Sequence, residues 1–286
     1  MNNVIHKFLE DSLNAIKKAI INNDFQTIYD LISFTPSLIL RAEKRGIYFI
    51  GEITQMLFNL EAIDEYHVKT FQLLMENASI IPLTGKHCIP IAHALIIEYD
   101  FRPKPEIIEL FGILMTSPYY SIDDWIEFKS ITVEHLNSRH TVTIYGTALS
   151  LALHFKQTGI FAEILLRMGA DVTYINWERV CFTTDKTKTL KSIALSGNII
   201  SPQQWLHLET VKLNAINEDT ENLIDFLAAI RSKPLSIRNT MLHKIRKKLN
   251  RNERLQWALN DKIPESWAKE NILFCEWLTF DILCEE

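Results

Sequence analysis

Apolar side chains recur at intervals of three and four residues through the first two thirds of the chain, in runs that are each short. Ile16 and Ala19 share one helical face, polar Asn22, Asn23 and Asp24 follow, and Ile28, Leu31 and Ile32 form a second face. That spacing predicts two short helices joined by a turn. The arrangement returns at 51–78, with Ile53 early and LLMENA at the close. It returns again at 89–115, where IPIAHAL (89–95) precedes EIIELFGILM (106–115). At 147–168, Leu149, Ala152 and Leu153 form a first face. Ile160, Phe161, Ile164, Leu165 and Met168 form a second. A fifth copy starts in TLKSIALSGN (189–198). A lone pair of short helices cannot bury both apolar stripes, so each pair needs neighbours.

The equivalent first-helix positions are Ile16, Ile53, Ile91, Leu149 and Leu190, separated by 37, 38, 58 and 41 residues. Recurrence at this spacing predicts a repeat array, and the long gap predicts an insertion near 116–140. Local signals fit the helix ends. Thr147 is a candidate N-cap, because its hydroxyl can accept from a first-turn amide. Pro90 suits a first helical position, and Gly169 suits a left-handed C-terminal cap.

TALSLAL (147–153) and ILLRMGADVTYIN (164–176) resemble the ankyrin repeat, whose pattern runs TPLHLAA, a turn, then a helix ending LLxxGADvN. IPIAHAL and TLKSIALSGN resemble its opening segment. Two departures stand out: Gly146 abuts Thr147, and the turn from His154 to Thr158 is long. Every spacing also exceeds the family's period of about 33 residues. The resemblance implies an all-α, ankyrin-like helical-hairpin solenoid of about five degenerate repeats over 1–200. An irregular bundle of hairpins, or TPR- or HEAT-like pairs, would share the periodicity. After residue 201 the pattern loosens. TENLIDFLAAI (220–230), LSIRNTMLHKIRKKL (235–249), ERLQWALN (253–260) and ESWAKENILFCEWLTFDIL (265–283) all read as helices. Arrays need terminal caps, so 201–286 is expected to form a helical cap or small bundle.

Composition narrows the function classes. The 286 residues are 47% hydrophobic and 23% charged, a globular balance. Only 8 Gly and 9 Pro argue against a many-stranded β fold. A net charge of −5 gives the whole chain no reason to seek nucleic acid or anionic lipid. The opening MNNVIHKFLEDSLNAIKK carries acids by Glu10 and no long apolar run, so no secretory signal is expected. No window approaches the ~18 apolar residues of a membrane span. These features predict a cytoplasmic protein, or one passed into a host-cell cytosol by a leaderless route. Cys88, Cys181, Cys275 and Cys284 form no CxxC pair, which predicts free thiols in a reducing compartment.

No chemistry-bearing motif emerges. His87, Cys88 and His93 cluster in GKHCIPIAH, but a cysteine nucleophile needs a histidine brought to it by the fold and oriented by a third group. HExxH, CxxC, GxxxxGK[ST] and GxGxxG are missing. The chain is therefore read as having no enzymatic activity, cofactor or metal. The rival reading is an enzyme whose catalytic part is the small C-terminal domain, targeted by the repeats. A third possibility is the basic run RNTMLHKIRKKLNRNER (238–254). There Lys244, Arg246, Lys247, Lys248 and Arg251 could dock on anionic lipid or nucleic acid, or could simply be a solvated helix face.

The resemblance implies instead a protein–protein interaction module that binds a partner through its concave face and loops. Degenerate ankyrin chains rich in Lys, Ile and Asn also resemble effectors that intracellular bacteria deliver into host cells, so the partner could be a host protein. Candidate contact residues at the repeat tips are Lys86, His87, Tyr145, Tyr174 and Trp177. The insertion adds Tyr119, Tyr120 and Trp125. Exposed aromatics are favoured interface anchors; the opposing expectation is that Tyr174 and Trp177 fold back onto the next repeat.

Overall fold

The computed structural model describes residues 2–35, 37–60, 62–77, 89–117, 120–135, 138–168, 170–195, 200–215 and 217–231. Among them the chain is mainly helical and divides into two compact units. One holds the chain up to Ser121 together with Ile131–Thr141. The other holds Ile122–Ser130 and the described chain from Val142 onward.

The first unit contains α1 (Asn2–Ile21), α2 (Phe25–Phe34), α3 (Leu38–Glu43), α4 (Phe49–Asn59), α5 (Glu65–Glu76), α6 (Ile91–Phe101) and α7 (Pro105–Thr116). α1 and α2 form the first pair. Asn23 turns the chain at φ 54°, and the Asp24 carboxylate accepts from the Thr27 amide to start α2. α4 packs on α1 and α6, while α5 packs on α2 and α7. The first helices of successive pairs thus follow one another, and so do the second helices. Tyr66 of α5 donates to the Ala19 carbonyl at the end of α1 (3.1 Å). Arg102 and Lys104, in the link between α6 and α7, donate to the Phe58 and Leu60 carbonyls (2.9 Å each). They close the C-terminus of α4, where carbonyls lack helical partners and a cation is favoured.

The expectation of an all-helical chain needs correction at the insertion. Two paired strands form there, β1 (Ile126–His135) and β2 (Ser138–Gly146). The physical reason lies in the residues. ITV in β1 and TVTI in β2 are β-branched runs that stiffen the backbone and suit a pleated surface. Along β2, Thr143 is exposed, Ile144 buried and Tyr145 exposed, the period of two that a half-buried strand requires. Scarcity of Gly and Pro excludes many turns; one hairpin needs only one.

The second unit continues with α8 (Ala148–His154), α9 (Gly159–Arg167), α10 (Thr187–Leu195), α11 (Pro202–Leu213) and α12 (Glu218–Arg231). Three short 3₁₀ turns, Val172–Tyr174, Trp177–Arg179 and Thr184–Lys186, lie between α9 and α10. Thr147 is the N-cap of α8, accepting from the Ser150 amide, as its sequence predicts. Pro90 is itself the N-cap of α6, one position before the expected first turn. Ile160 is exposed, so the apolar face of α9 is Phe161 and Leu165 with Leu166. Lys186 is fully buried, and its ammonium donates to the Leu153 and Phe155 carbonyls at the end of α8. Ser201 and Gln204 form a reciprocal capping box that starts α11.

The five equivalent positions Ile16, Ile53, Ile91, Leu149 and Leu190 are each 0% exposed; the first four lie on the first helices of the pairs α1–α2, α4–α5, α6–α7 and α8–α9, whereas Leu190 lies on α10, which packs on α12. Cys181 is a half-buried free thiol. Gly169, Cys88, Cys275, Cys284 and the helices expected over 235–283 lie outside the described residues. Among the described residues, no helix is long and apolar enough to cross a membrane.

Candidate functional site

The second unit gathers three exposed aromatic side chains into one patch. Trp125 sits just before β1, Tyr145 near the end of β2, and Tyr174 on the first 3₁₀ turn. The indole stands edge-on to Tyr145 (4.9 Å between ring centres, 80°) and to Tyr174 (5.5 Å, 62°). Such offset pairs satisfy the ring quadrupoles. The three side chains nevertheless remain 43%, 38% and 49% exposed. Arg179 lies over the Tyr145 ring, 5.0 Å from its centre.

The backbone that carries these rings is pinned at several points. Asp171 caps the turn bearing Tyr174, accepting from the Thr173 amide and hydroxyl, and its own amide donates to the Asp123 carboxylate (2.8 Å). Asn176 accepts from the Glu178 amide and from Gln204 of α11, both at 3.0 Å. The Cys181 amide donates to Leu153, and the His154 ring bonds the Arg179 carbonyl (2.9 Å). A carbonyl only accepts, so His154 Nδ1 carries the proton there. Gly146, at φ 93°, turns the chain from β2 into α8; a Cβ at this position would come within 3.2 Å of Ser150.

Between Tyr145, Tyr174, His154 and Arg179 the surface dips into a recess that encloses only about 20 Å³. That is roughly the space of one water and far below the ~300 Å³ at which small-molecule sites begin. A larger trough of about 780 Å³ in the first unit runs past His6, Lys7, Glu10, Asp11 and Glu52. Its His6–Glu10 pair (3.3 Å) is about half exposed, a solvated surface ion pair. Among the described residues no cluster of His, Cys, Asp or Glu has the makings of a metal site.

Trp125, Tyr145 and Tyr174, read from the sequence as belonging to two separate features, come together. Trp177 does not join them. It is 0% exposed and is buried together with Val172, Ile175 and Val180 of the 171–181 segment. Tyr120 is likewise buried, at 4%. For these two, burial of the ring outweighs display, and neither is a surface anchor. Lys86, His87 and Tyr119 lie outside the described residues, as does the basic run with Lys244, Arg246, Lys247, Lys248 and Arg251. The sequence reading missed Arg179, His154, Asp171 and Gln204. Asp171 had a local signal, an Asp two residues before Thr173; the others depend on long-range placement, Arg179 meeting Tyr145 34 residues away.

No family model matches the chain, and neither the curated proteins nor the solved structures contain a significant match to it.

Proposed function

We propose that this chain is a protein-docking module, built on an ankyrin-like stack of helical pairs, with no chemistry of its own. The observation that carries the reading is the exposed Trp125–Tyr145–Tyr174 patch on a pinned backbone. Exposed rings already held in place lose little freedom on binding and offer large contact area, which is how interface anchors work. The shallow recess beside them suits a protein surface and not an enclosed substrate. The stack itself is supported by the fully buried Ile16, Ile53, Ile91 and Leu149 on the first helices of four pairs and by the succession of α1, α4 and α6 beside α2, α5 and α7. Stacked pairs of this kind present extended faces to partners. Taken with the effector-like resemblance, a host-cell protein is the partner to seek.

Affinity capture from host-cell lysate, comparing wild type with Tyr145→Ala/Tyr174→Ala, tests the proposal. Wild type is expected to retain at least one protein in stoichiometric amount that the double variant loses. Recovery of the same proteins by both would overturn it.

A further inference from the structure

The recess beside the three rings sets the kind of partner the patch receives, given that the patch is a docking surface as proposed above. We infer that its occupant is an acidic side chain of the partner protein. The carboxylate of this aspartate or glutamate meets Arg179, and the chain around it lies on Trp125, Tyr145 and Tyr174.

Three observations converge. The first is charge. Among the described residues that line the recess, Arg179 and His154 are basic and none is a carboxylate. The carboxylates of the neighbouring segments are engaged elsewhere. Asp171 accepts from Thr173, Asp123 accepts from the Asp171 amide, and Asp124 has a partner too. These three and Glu178 stand outside the recess. A neutral partner that covered the recess would strip water from the guanidinium and return no counter-charge, which is costly. A carboxylate returns it. The second observation is the presentation of Arg179. Its guanidinium lies over the Tyr145 ring, 5.0 Å from the centre. That contact uses the π-face of the ring, and a guanidinium carries five N–H donors in a planar fork that matches a carboxylate. Its backbone is pinned at both ends. The amide donates to the Asn176 carbonyl (3.0 Å) and the carbonyl accepts from the His154 ring. Less freedom is therefore lost on binding. The third observation is size. The recess encloses about 20 Å³, beside the apolar Leu151, Ile175 and Val180. A single carboxylate oxygen is about as large as the one water that fits there. A phosphate would bring three free oxygens.

The test uses the full chain, immobilised, and a phage-displayed library of random dodecapeptides. Peptides retained by wild type are expected to be enriched in Asp and Glu over Lys and Arg. The best of them is then made with a fluorescent label, alongside a twin in which each Asp or Glu is the matching amide, and both are read by fluorescence anisotropy. The acidic peptide should bind about fivefold more tightly than its twin, and less so as salt rises. Arg179→Gln should abolish that difference, which isolates the pairwise contact. The variant keeps the local fold, because His154 bonds the Arg179 carbonyl and not its side chain. Lys188→Gln, at an exposed cation on α10, should leave both affinities unchanged.

Any of three results overturns the inference: a selection that retains no peptides or shows no acidic enrichment, equal binding of the acidic peptide and its twin, or a preference for the acidic peptide that survives Arg179→Gln. The outcome is separable from that of the docking proposal. If lysate capture depends on Tyr145 and Tyr174 while acidic peptides gain no preference, docking stands and the acidic occupant falls. If capture is indifferent to the rings and the peptides to Arg179, both fall.

Discussion

Each unit buries some rings and leaves others in water: Phe8, Tyr29 and Phe34 of the first are 50%, 48% and 82% exposed, and in the second the exposed Trp125, Tyr145 and Tyr174 meet one another. In the first, Phe49, Phe71 and Phe111 lie on α4, α5 and α7 and are 0% exposed. The helices there run mostly from 10 to 20 residues, long enough to place one side chain per turn into a common core. In the second, α8 and α9 have only 7 and 9 residues, and three-residue turns follow. Elements that short still carry an apolar face, Leu149 with Ala152 on α8 and Phe161 with Leu165 on α9, over about two turns. Individual tethers add to it: Lys186 on the end of α8, Asn176 to Gln204, and His154 to Arg179, beside the buried Trp177. Segments anchored in this way can leave rings in water without losing their shape. The contrast lies in placement: the exposed rings of the second unit gather on tethered segments, whereas Phe8, Tyr29 and Phe34 of the first lie along α1 and α2.

The sharpest break of that contrast is to exchange the roles of Trp177 and Tyr174. Removing the fully buried indole with Trp177→Ala should cost about 3–5 kcal/mol, the lost transfer energy plus the cavity. Tyr174→Ala removes a half-exposed ring with one edge contact, and should cost about 1 kcal/mol or less. Urea unfolding of both variants reads the difference. Equal losses would mean that Tyr174 is part of the core and the patch is not a free surface.

These two residues also show how far the sequence could be read. Periodicity was legible wherever helices were long enough to repeat. It located the five equivalent apolar positions, every one of which is fully buried, and local capping chemistry located Thr147. It could not separate Trp177 from Tyr174, because they lie three residues apart on adjacent short turns with no period to count. The hairpin was hidden for a related reason. Its β-branched runs sit inside what the repeat spacing marks only as excess length. The meeting of Trp125 with Tyr174, 49 residues apart, depends on that hairpin and on the 171–181 tethers, so no local pattern announced it.

Glycine replacements probe the same contrast with a sign change. Gly112 lies inside α7, and a Cβ built there meets nothing within 4 Å. Gly112→Ala should therefore stabilise the chain by about 0.5–1 kcal/mol, through helix propensity and a less free unfolded state. Gly159 opens α9, and a Cβ there would fall 2.3 Å from the Asp185 carboxylate and 3.2 Å from the Lys186 stem. Gly159→Ala should destabilise by about 1 kcal/mol, because the exposed Asp185 carboxylate must swing aside and the buried Lys186 stem must give by a few tenths of an ångström. Thermal unfolding checks both signs. A stable Gly159→Ala protein would show that the tether at the end of α8 has slack.

The smallest effect concerns a charge in the stripe-built unit. Glu98 on α6 is buried, and Arg102 lies 3.5 Å away. Burial pushes the Glu98 carboxyl above its ordinary value of 4.5, against the opposing pull of Arg102 and Lys104. The folded chain thus keeps this proton to higher pH than the unfolded chain does. Stability from the group is fully present below pH 4.5 and is lost as pH rises through the raised folded value. Glu98→Gln cannot titrate and escapes that loss. The melting temperature of Glu98→Gln relative to wild type should therefore rise as pH goes from 4.5 to neutrality, while other titrating groups cancel in the difference. A gap that stays constant or closes would mean that the cations capping α4 hold Glu98 ionised. The cations that tether α4 in the first unit would then hold a buried carboxylate as well.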